Sequence, residues 1–218
     1  MIEEILPPAV AVEDTREELL EVELFPEELA AVGRAVEKRR REFTTGRACA
    51  RRALARLGVA PCAIANGERG QPLWPVGVVG SITHCAGYRA CAVAREAQVV
   101  GVGIDAEPHA PLPDGVLGQI ARAEERPRLA RLAEAEPAVH WDRLLFCAKE
   151  AVYKVWFPLA ACWLGFEDAT LTLDPVGCAF QAQLLKPRPH TATALPEILK
   201  GRWLVREGLV LTAIALPR

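Results

Sequence analysis

The strongest constraint on the fold is a spacing of residues that occurs twice, 103 positions apart in a chain of 218. The two copies read Phe43-x-x-Gly46-Arg47-x-x-x-Arg51 and Phe146-x-x-Lys149-Glu150-x-x-x-Lys154. Each copy lies in a segment whose apolar residues recur at helical intervals. Duplication of one α/β unit would produce such an echo at about half the chain length, and coincidence would produce it too.

Composition places the chain among ordinary globular proteins. Hydrophobic residues make up 51% and charged residues 25%, which excludes a disordered tail, a collagen-like chain and a coiled coil. The net charge of −2 argues against nucleic acid as a partner. The sequence has neither a long apolar run nor a basic N-terminal segment of the secretory kind, so we expect a soluble, cytoplasmic protein that has no membrane partner.

Charge changes sign abruptly along the first part of the chain. Residues 1–33 carry ten acids and one base, whereas residues 34–56 carry nine bases and two acids. The basic segment is predicted to form a helix that ends at Gly58. One polar face of that helix is lined by Arg40, Thr44, Arg47 and Arg51. Because guanidinium groups bind phosphate through paired donors, this face is a candidate anion site. The alternative is a pair of solvated faces that neutralise each other.

Short strands are predicted around two long helices. Strands are expected at 76–83, 88–94 and 99–105, the last two joined as a hairpin, and the second long helix at 139–156. A helical region between them is expected to break near Pro127, and short strands from residue 169 onward end in a hairpin that turns at 206–208. This order fits a duplicated α/β unit.

Two carboxylates lie at the end of the strand predicted at 99–105. Asp105 and Glu107 are two positions apart, so in an extended strand they point to the same face. Neighbouring carboxylates repel each other and persist where a cation compensates them, and an all-oxygen site suits Mg²⁺. The alternative is an exposed acidic strand end that precedes a loop.

The second long helix carries Glu150 and Lys154 on one polar face, because they are one helical turn apart. Taken alone, this is also the spacing of a surface ion pair worth about 0.3–0.5 kcal/mol. In the functional interpretation Glu150 is a third metal ligand or a general base, and Lys154 is a cation for a phosphate. Thr83 and His84, at a predicted strand end, add two groups that can donate to phosphate oxygens. The alternative for His84 is a purely structural role.

In this order the motifs resemble those of the larger, single-chain class of 4′-phosphopantetheinyl transferases, which activate siderophore and surfactin synthetases. The resemblance runs from about residue 40 to the C-terminus. It rests on Gly70-Gln71-Pro72, Gly80-Ser81-Ile82-Thr83-His84, Gly103-Ile104-Asp105-Ala106-Glu107 and Phe146-x-x-Lys149-Glu150-Ala151-x-x-Lys154. Each motif is short, but their order and separations are specific to this family. Trp74-Pro75 resembles the bacterial siderophore-type branch in particular.

The resemblance implies an α/β fold built of two pseudo-twofold-related halves with the active site between them, and we place these halves at 1–107 and 108–218. It implies transfer of the 4′-phosphopantetheine arm of coenzyme A, the co-substrate, to a serine of an apo carrier protein, with release of 3′,5′-ADP. The carrier is expected to be an acidic acyl or peptidyl carrier of a fatty-acid, polyketide or nonribosomal peptide synthase. The enzyme itself is expected to be a monomer.

The resemblance also implies roles for individual residues. Asp105, Glu107 and Glu150 would hold Mg²⁺, with Mn²⁺ as an alternative, and the catalytic group would be Glu150, Lys154 and Asp105. Contacts to coenzyme A are implied for Arg40, Thr44, Arg47, Arg69, Gln71, Thr83, His84, Asp105, Lys149 and Lys154. Gln71 stands where relatives often have a basic residue, and Arg69 is the candidate replacement for that charge.

Two other functions fit the same residues. Another metal-dependent phosphotransferase or nucleotide hydrolase would use the same carboxylates without a carrier protein. A non-catalytic module would use the basic helix to dock an acidic partner. The sequence has no Walker A loop and no Rossmann glycine fingerprint, which argues against the commonest nucleotide enzymes.

Overall fold

The computed structural model describes residues 1–19, 22–189 and 195–218. Its strands are β1 (Val10–Thr15), β2 (Val78–Cys85), β3 (Tyr88–Arg95), β4 (Val99–Pro108), β5 (Ala169–Asp174), β6 (Ala179–Leu184), β7 (Ile198–Arg206) and β8 (Leu209–Pro217). Its helices are α1 (Pro26–Val32), α2 (Glu37–Arg56), α3 (Val116–Ile120), α4 (Arg126–Ala135) and α5 (Trp141–Ala160), with 3₁₀ turns at Ile2–Ile5 and Phe166–Asp168. Among these residues no helix is both long and apolar enough to cross a membrane.

The strands form two antiparallel sheets. A three-stranded sheet has the order β1-β3-β2, and a five-stranded sheet has the order β4-β8-β7-β6-β5. Helix α2 packs on the small sheet, and helix α5 packs on the large one. This mixture of helices and antiparallel sheets confirms the predicted α/β class, and both long helices form where the helical periodicity predicts them.

The two long helices are held in place by small and branched side chains. On the inner face of α2, Ala50 and Leu54 share a buried cluster with Val93 of β3. On the inner face of α5, Val152 shares the main core with Val210 of β8. Burial of this apolar surface stabilises the helices on their sheets by about 25 cal/mol per Å². Helix α5 continues to Ala160, past the predicted end at 156.

Gly103 allows α5 to lie close against β4. A Cβ atom at Gly103 would lie 2.2 Å from the carbonyl oxygen of Ala151 and 2.6 Å from a methyl carbon of Val155. Only glycine leaves room for the helix at this distance. The close approach brings Lys154, on α5, against Asp105, on β4.

The predicted hairpin between residues 88–94 and 99–105 is wrong. Both segments are strands, but β3 pairs with β1 and β2, whereas β4 pairs with β8. Because both edges of β3 are already occupied, the chain turns after β3 and enters the other sheet. The boundary between the halves at residue 107 stays a prediction, while the pairing places β4, residues 99–108, in the large sheet.

A helix break and a hairpin turn were also predicted from local sequence. The helix break expected near Pro127 is confirmed, because α3 ends at Ile120 and α4 begins only at Arg126. Pro127 lies in the first turn of α4, where its missing N–H is not needed. The hairpin at 206–208 is confirmed, with Arg206 opposite Leu209 across the turn. Glu207 and Gly208 have φ values of 50° and 75°, the left-handed conformation that two-residue hairpin turns favour.

Candidate active site

Three hollows border helix α5 and together form the cleft of this site, and one of them is also lined by α2. The basic hollow, of about 320 Å³, is lined among others by Arg39, Glu42, Phe43, Arg47, Thr83, His84, Asp105 and Lys154. The aromatic pocket, of about 150 Å³, includes Glu150, Tyr153, Trp163, Leu164 and Phe166 in its walls. The loop pocket, of about 220 Å³, lies between the segment 69–74 and the end of α5 and includes Glu150, Lys154 and Phe157 in its walls. The loop pocket therefore shares Glu150 with the aromatic pocket and Lys154 with the basic hollow.

Asp105 is a buried residue in the wall of the basic hollow and has two unlike carboxylate oxygens. Its Oδ1 accepts hydrogen bonds from the Lys154 ammonium at 2.8 Å and from the Thr83 hydroxyl at 3.0 Å. Its Oδ2 is buried and has no hydrogen-bond partner within the described part of the chain. A buried carboxylate oxygen without a partner is costly, so a positively charged group beside this atom would stabilise it.

Glu107 and Glu150 are the other two carboxylates that the sequence places here. Burial and the charge of Asp105 raise the pKa of Glu107, while Arg143, at 2.9 Å from Oε2 of Glu107, opposes that shift. Burial and the charge of Asp105 likewise raise the pKa of Glu150, against the effect of Lys154. Both shifts have the same causes, which are poor solvation and mutual repulsion among carboxylates.

These three carboxylates fit a divalent cation by their chemistry. They supply an all-oxygen donor set of the kind that Mg²⁺ prefers, and the unpartnered oxygen of Asp105 points to a missing positive group. In residues 1–19, 22–189 and 195–218 no three His, Cys, Asp or Glu side chains converge in metal-binding geometry. Glu107 is held by Arg143 and Asp105 by Lys154, so cations of the protein itself occupy two of the three carboxylates.

His84 lies at the mouth of the basic hollow under the guanidinium of Arg39. Nη1 of Arg39 donates to Nε2 of His84 at 2.6 Å, which leaves the ring proton on Nδ1. Nδ1 in turn faces Oε2 of Glu42 at 3.7 Å. Burial and the neighbouring Arg39 charge lower the pKa of His84, so the imidazole is neutral near pH 7.

Arg47 forms an inner wall of the same hollow. Its guanidinium donates to the carbonyl oxygen of Ile64 at 2.8 Å and to Oδ1 of Asn66 at 2.5 Å. It also lies over the ring of Phe43 at 4.2 Å. Burial lowers the pKa of Arg47 to about 10, so the side chain keeps its positive charge near neutral pH and adds it to the hollow.

The other basic-helix residues named from the sequence lie elsewhere. Arg40 donates to the carbonyl oxygens of Val32 and Gly33 at the end of α1. Arg51 is paired with the buried carboxylate of Glu28 at 2.8 Å. Thr44 is half-buried and is not among the residues that line the basic hollow. The polar face predicted from spacing therefore brings only Arg47 to the cleft.

The remaining predicted contacts divide between the pockets and the interior. Arg69 and Gln71 line the loop pocket, where Oε1 of Gln71 accepts from the backbone N–H of Arg69 at 3.0 Å. Lys149 points into the interior, where its ammonium is paired with Glu125 at 2.9 Å. Thr83 lines the basic hollow, but its hydroxyl is turned toward Asp105.

Three residues in the walls of these hollows were not among the site residues predicted from the sequence: Arg39, Tyr153 and Trp163. Arg39 had a signal: it belongs to a run of four cations in the first turns of α2, where the helix dipole disfavours positive charge. Such a run needs another reason, and anion binding is one. Tyr153 and Trp163 had no signal, since their contact, with ring centroids 5.2 Å apart, joins α5 to the segment after it.

Comparison with known proteins is consistent across the whole chain. Residues 26–94 match the family model described as 4′-phosphopantetheinyl transferase N-terminal domain, and residues 101–207 match the model described as 4′-phosphopantetheinyl transferase superfamily. The chain is 48% identical over 223 residues to 4′-phosphopantetheinyl transferase Npt of Nocardia iowensis, with 99% of each chain covered.

Other relatives give the same result. The chain is 54% identical over 193 residues to 4′-phosphopantetheinyl transferase Svp of Streptomyces mobaraensis, which covers 88% of this chain and 78% of the relative. It is 30% identical over 178 residues to enterobactin synthase component D of Salmonella typhimurium, which covers 82% of this chain and 72% of the relative.

Proposed function

Because the chain belongs to the 4′-phosphopantetheinyl transferase superfamily and is a 4′-phosphopantetheinyl transferase, we propose that it holds coenzyme A across the basic hollow and the aromatic pocket and presents its pyrophosphate at Glu150. The family acts on carrier protein domains with coenzyme A and generally a divalent metal. The observation that carries this proposal is that the loop pocket shares Glu150 with the aromatic pocket and Lys154 with the basic hollow. Lys154 is paired there with Asp105, whose Oδ2 has no hydrogen-bond partner in the described residues.

The basic hollow is proposed to take the phosphates of coenzyme A. Arg39, Arg47 and His84 line it, and Lys154 borders it next to Asp105. Guanidinium groups bind phosphate oxygens through paired, charge-assisted hydrogen bonds. Arg40, Thr44, Arg69, Gln71 and Lys149 stay predicted contacts, and the positions of Arg40 and Lys149 give them the least support.

The aromatic pocket is proposed to take the pantetheine arm. Tyr153, Trp163 and Phe166 present apolar surface beside Glu150, and Trp163 is 58% exposed. An exposed tryptophan at a concave, apolar wall is typical of a ligand surface. Placing the arm here leads it directly from the phosphates at Lys154 toward the carrier.

The transfer itself is proposed to use Glu150 as the base. The carrier serine oxygen forms a bond to the β-phosphorus, the bond from that phosphorus to the bridging oxygen breaks, and 3′,5′-ADP leaves with that oxygen. The serine proton passes to Glu150, directly or through water. Burial and the Asp105 charge raise the pKa of Glu150, which favours a carboxylate that can accept a proton.

Charge neutralisation is the other requirement of phosphoryl-type transfer. Lys154 supplies a fixed positive charge next to Asp105 at 2.8 Å. Asp105, Glu107 and Glu150 are the residues proposed to hold Mg²⁺, or Mn²⁺ in its place, and the cation would neutralise pyrophosphate charge when bound. To join such a site, Glu107 would have to share its carboxylate with Arg143 or release it.

The partner is proposed to be an acidic apo acyl or peptidyl carrier. This chain is proposed to act on the carrier as a monomer, in the cytoplasm. Basic side chains at the start of α2 support an acidic partner, because Lys38, Arg39 and Arg40 are exposed. Attraction of this kind speeds association and weakens with salt.

Intact mass of an apo carrier protein tests this function. After incubation with the protein, coenzyme A and Mg²⁺, the carrier should gain one phosphopantetheine. EDTA and Glu150→Gln should abolish the gain, while Glu134→Gln, on the exposed side of α4, should not. Full transfer by Glu150→Gln would exclude Glu150 as base and ligand.

A further inference from the structure

Two hydroxyl groups of β2 join the two sheets. β2 is an edge of the small sheet and β4 is an edge of the large sheet. The backbone N–H of Ile104 donates to the Ser81 hydroxyl at 3.1 Å, and the backbone N–H of Ala106 donates to the Thr83 hydroxyl at 3.1 Å. Both hydroxyls are buried, each 2% exposed by residue. The two hydroxyl oxygens thus accept the backbone hydrogen bonds that carbonyl oxygens of a neighbouring strand would accept inside a sheet.

The direction of the Thr83 hydrogen bonds follows from its chemistry. A hydroxyl has one proton to donate, and backbone N–H groups only donate. Since Thr83 accepts from Ala106, its own proton is free for Oδ1 of Asp105, which lies 3.0 Å away. A phosphate oxygen would need that same proton, so the side chain has no donor left for coenzyme A.

The carboxylate of Asp105 is therefore held at one oxygen only. Oδ1 accepts from Thr83 at 3.0 Å and from Lys154 at 2.8 Å. The Lys154 ammonium is itself held by the carbonyl oxygen of Ile104 at 3.0 Å. With two donors fixed on Oδ1, the plane of the carboxylate is set and Oδ2 is turned away from both of them.

The nearby thiol does not change this arrangement. The Thr212 hydroxyl donates to the carbonyl oxygen of Cys147 at 2.9 Å, so its oxygen is free to accept from the Cys147 thiol at 3.3 Å. The carbonyl oxygen of Val210, 3.6 Å from the sulfur, is a second acceptor for the thiol. The thiol thus has two acceptors other than Asp105, and burial together with the Asp105 charge raises its pKa, which keeps it protonated. Oδ2 of Asp105 stays buried without a partner in the part of the chain that the structure describes.

We propose that Thr83 is a positioning residue, whose hydroxyl locks the Asp105 carboxylate so that Oδ2 alone is presented to the divalent cation. The inference rests on the proposed function, because it takes Asp105 as a metal ligand. It assigns Thr83 a different task from the phosphate contact that the family resemblance implies. Groups that orient a metal ligand commonly change metal affinity 10- to 100-fold when they are removed.

Three variants separate positioning from general stability. Thr83→Val keeps the branched shape and removes the hydroxyl, and Thr83→Ser keeps the hydroxyl. Ser81→Ala is the matched control, because Ser81 makes the same kind of bond to the backbone of β4 but does not touch Asp105 in the described structure. Asp105→Asn reports whether Asp105 binds the metal at all.

The measurement is Mn²⁺ affinity, by electron paramagnetic resonance, of each protein saturated with coenzyme A and free of carrier. Thr83→Val should bind Mn²⁺ about 10- to 100-fold more weakly, whereas Thr83→Ser and Ser81→Ala should stay close to the wild type. Coenzyme A affinity in EDTA, measured by calorimetry, should be the same for Thr83→Val and the wild type.

Each contrary result has its own meaning. If Asp105→Asn weakens Mn²⁺ binding and Thr83→Val does not, Thr83 is not a positioning residue. If Thr83→Val loses coenzyme A affinity in EDTA, Thr83 contacts a phosphate after all. If Asp105→Asn leaves Mn²⁺ affinity unchanged, both the metal site and the inference are wrong, while carrier transfer measured separately still decides the reaction.

Discussion

Lys149 and Glu125 form an ion pair that is almost entirely buried, with Nζ 2.9 Å from Oε2 and side-chain exposures of 2% and 1%. The Lys149 ammonium also donates to the carbonyl oxygens of Ile120, Phe166 and Ala169. Phe166 and Ala169 line the aromatic pocket. The pair thus fixes a wall of that pocket to α5, one residue before Glu150.

Lys149→Met should destabilise the protein by about 3–5 kcal/mol, because it leaves the Glu125 charge buried without its partner. Urea unfolding measures the loss. The double variant Lys149→Met/Glu125→Gln should lose less, since the uncompensated charge is gone. A Lys149→Met protein with wild-type stability and weakened coenzyme A binding would instead support the direct contact implied by the family resemblance.

Arg39→Ala should weaken coenzyme A binding about 10- to 100-fold, whereas Arg40→Ala should leave it nearly unchanged. Arg39 lines the basic hollow, and a hydrogen bond to a charged group contributes about 1.5–3 kcal/mol. Arg40 caps the end of α1 through two carbonyl oxygens, so its loss should appear in stability. Calorimetric titration with coenzyme A measures the affinities.

Salt provides the control for this pair of variants. The difference between wild type and Arg39→Ala should shrink as ionic strength rises, because screening weakens the attraction to phosphate. Equal losses in the two variants would show that the start of α2 attracts coenzyme A only as a diffuse charge.

Binding of coenzyme A should be accompanied by protonation of the His84 imidazole. Burial and Arg39 hold the pKa of the free enzyme's imidazole below its ordinary 6.5, and a phosphate nearby would raise it. Affinity should therefore increase as the pH falls through the pKa of the complex, and the gain should be complete below the lower pKa of the free enzyme.

Calorimetry in buffers of different ionisation enthalpy counts this proton. His84→Asn should lose the part of the uptake that belongs to the imidazole, leaving the part that belongs to coenzyme A itself. His109→Gln is the matched control, since burial also lowers the pKa of His109, which lies against His140 outside the three hollows. Equal proton uptake by His84→Asn and the wild type would contradict the prediction.

Trp163→Ala should weaken binding of coenzyme A about 10-fold and leave binding of 3′,5′-ADP unchanged. The indole is more than half exposed at the wall of the aromatic pocket, and covering it with a ligand should contribute about 1.5 kcal/mol. Fluorescence titration with the two ligands measures both affinities. Equal weakening of both ligands would place the indole against the nucleotide instead.

Local pattern predicted the elements of the fold well but their pairing poorly. Strands β3 and β4 lie where short strands were predicted, and both long helices follow their apolar stripes. The hairpin between β3 and β4 is wrong because strand pairing depends on which edges are free in three dimensions. The residues of the turn after β3 do not reveal that β3 lies between β1 and β2.

Residues of the candidate site were predictable where their spacing along the chain alone determines the direction in which their side chains point. Asp105 and Lys154, named from separate motifs, meet at 2.8 Å. Arg40 was named instead of Arg39 because the helical stripe was chosen from charge spacing. The stripe that faces the cleft contains Arg39, Phe43 and Arg47, and successive residues of a helix point about 100° apart.

Periodicity and motif order are local properties of a chain, so they were enough to predict the two long helices, the strands from β2 onward and the cleft residues Asp105, Glu150 and Lys154. That β4 joins the large sheet, that Lys149 turns inward and that the Thr83 proton goes to Asp105 became evident only from the folded arrangement. Each of these outcomes depends on groups that are distant in sequence. These groups compete for the same strand edge, the same ion-pair partner or the same hydroxyl proton. Such competition is resolved by packing and hydrogen bonding.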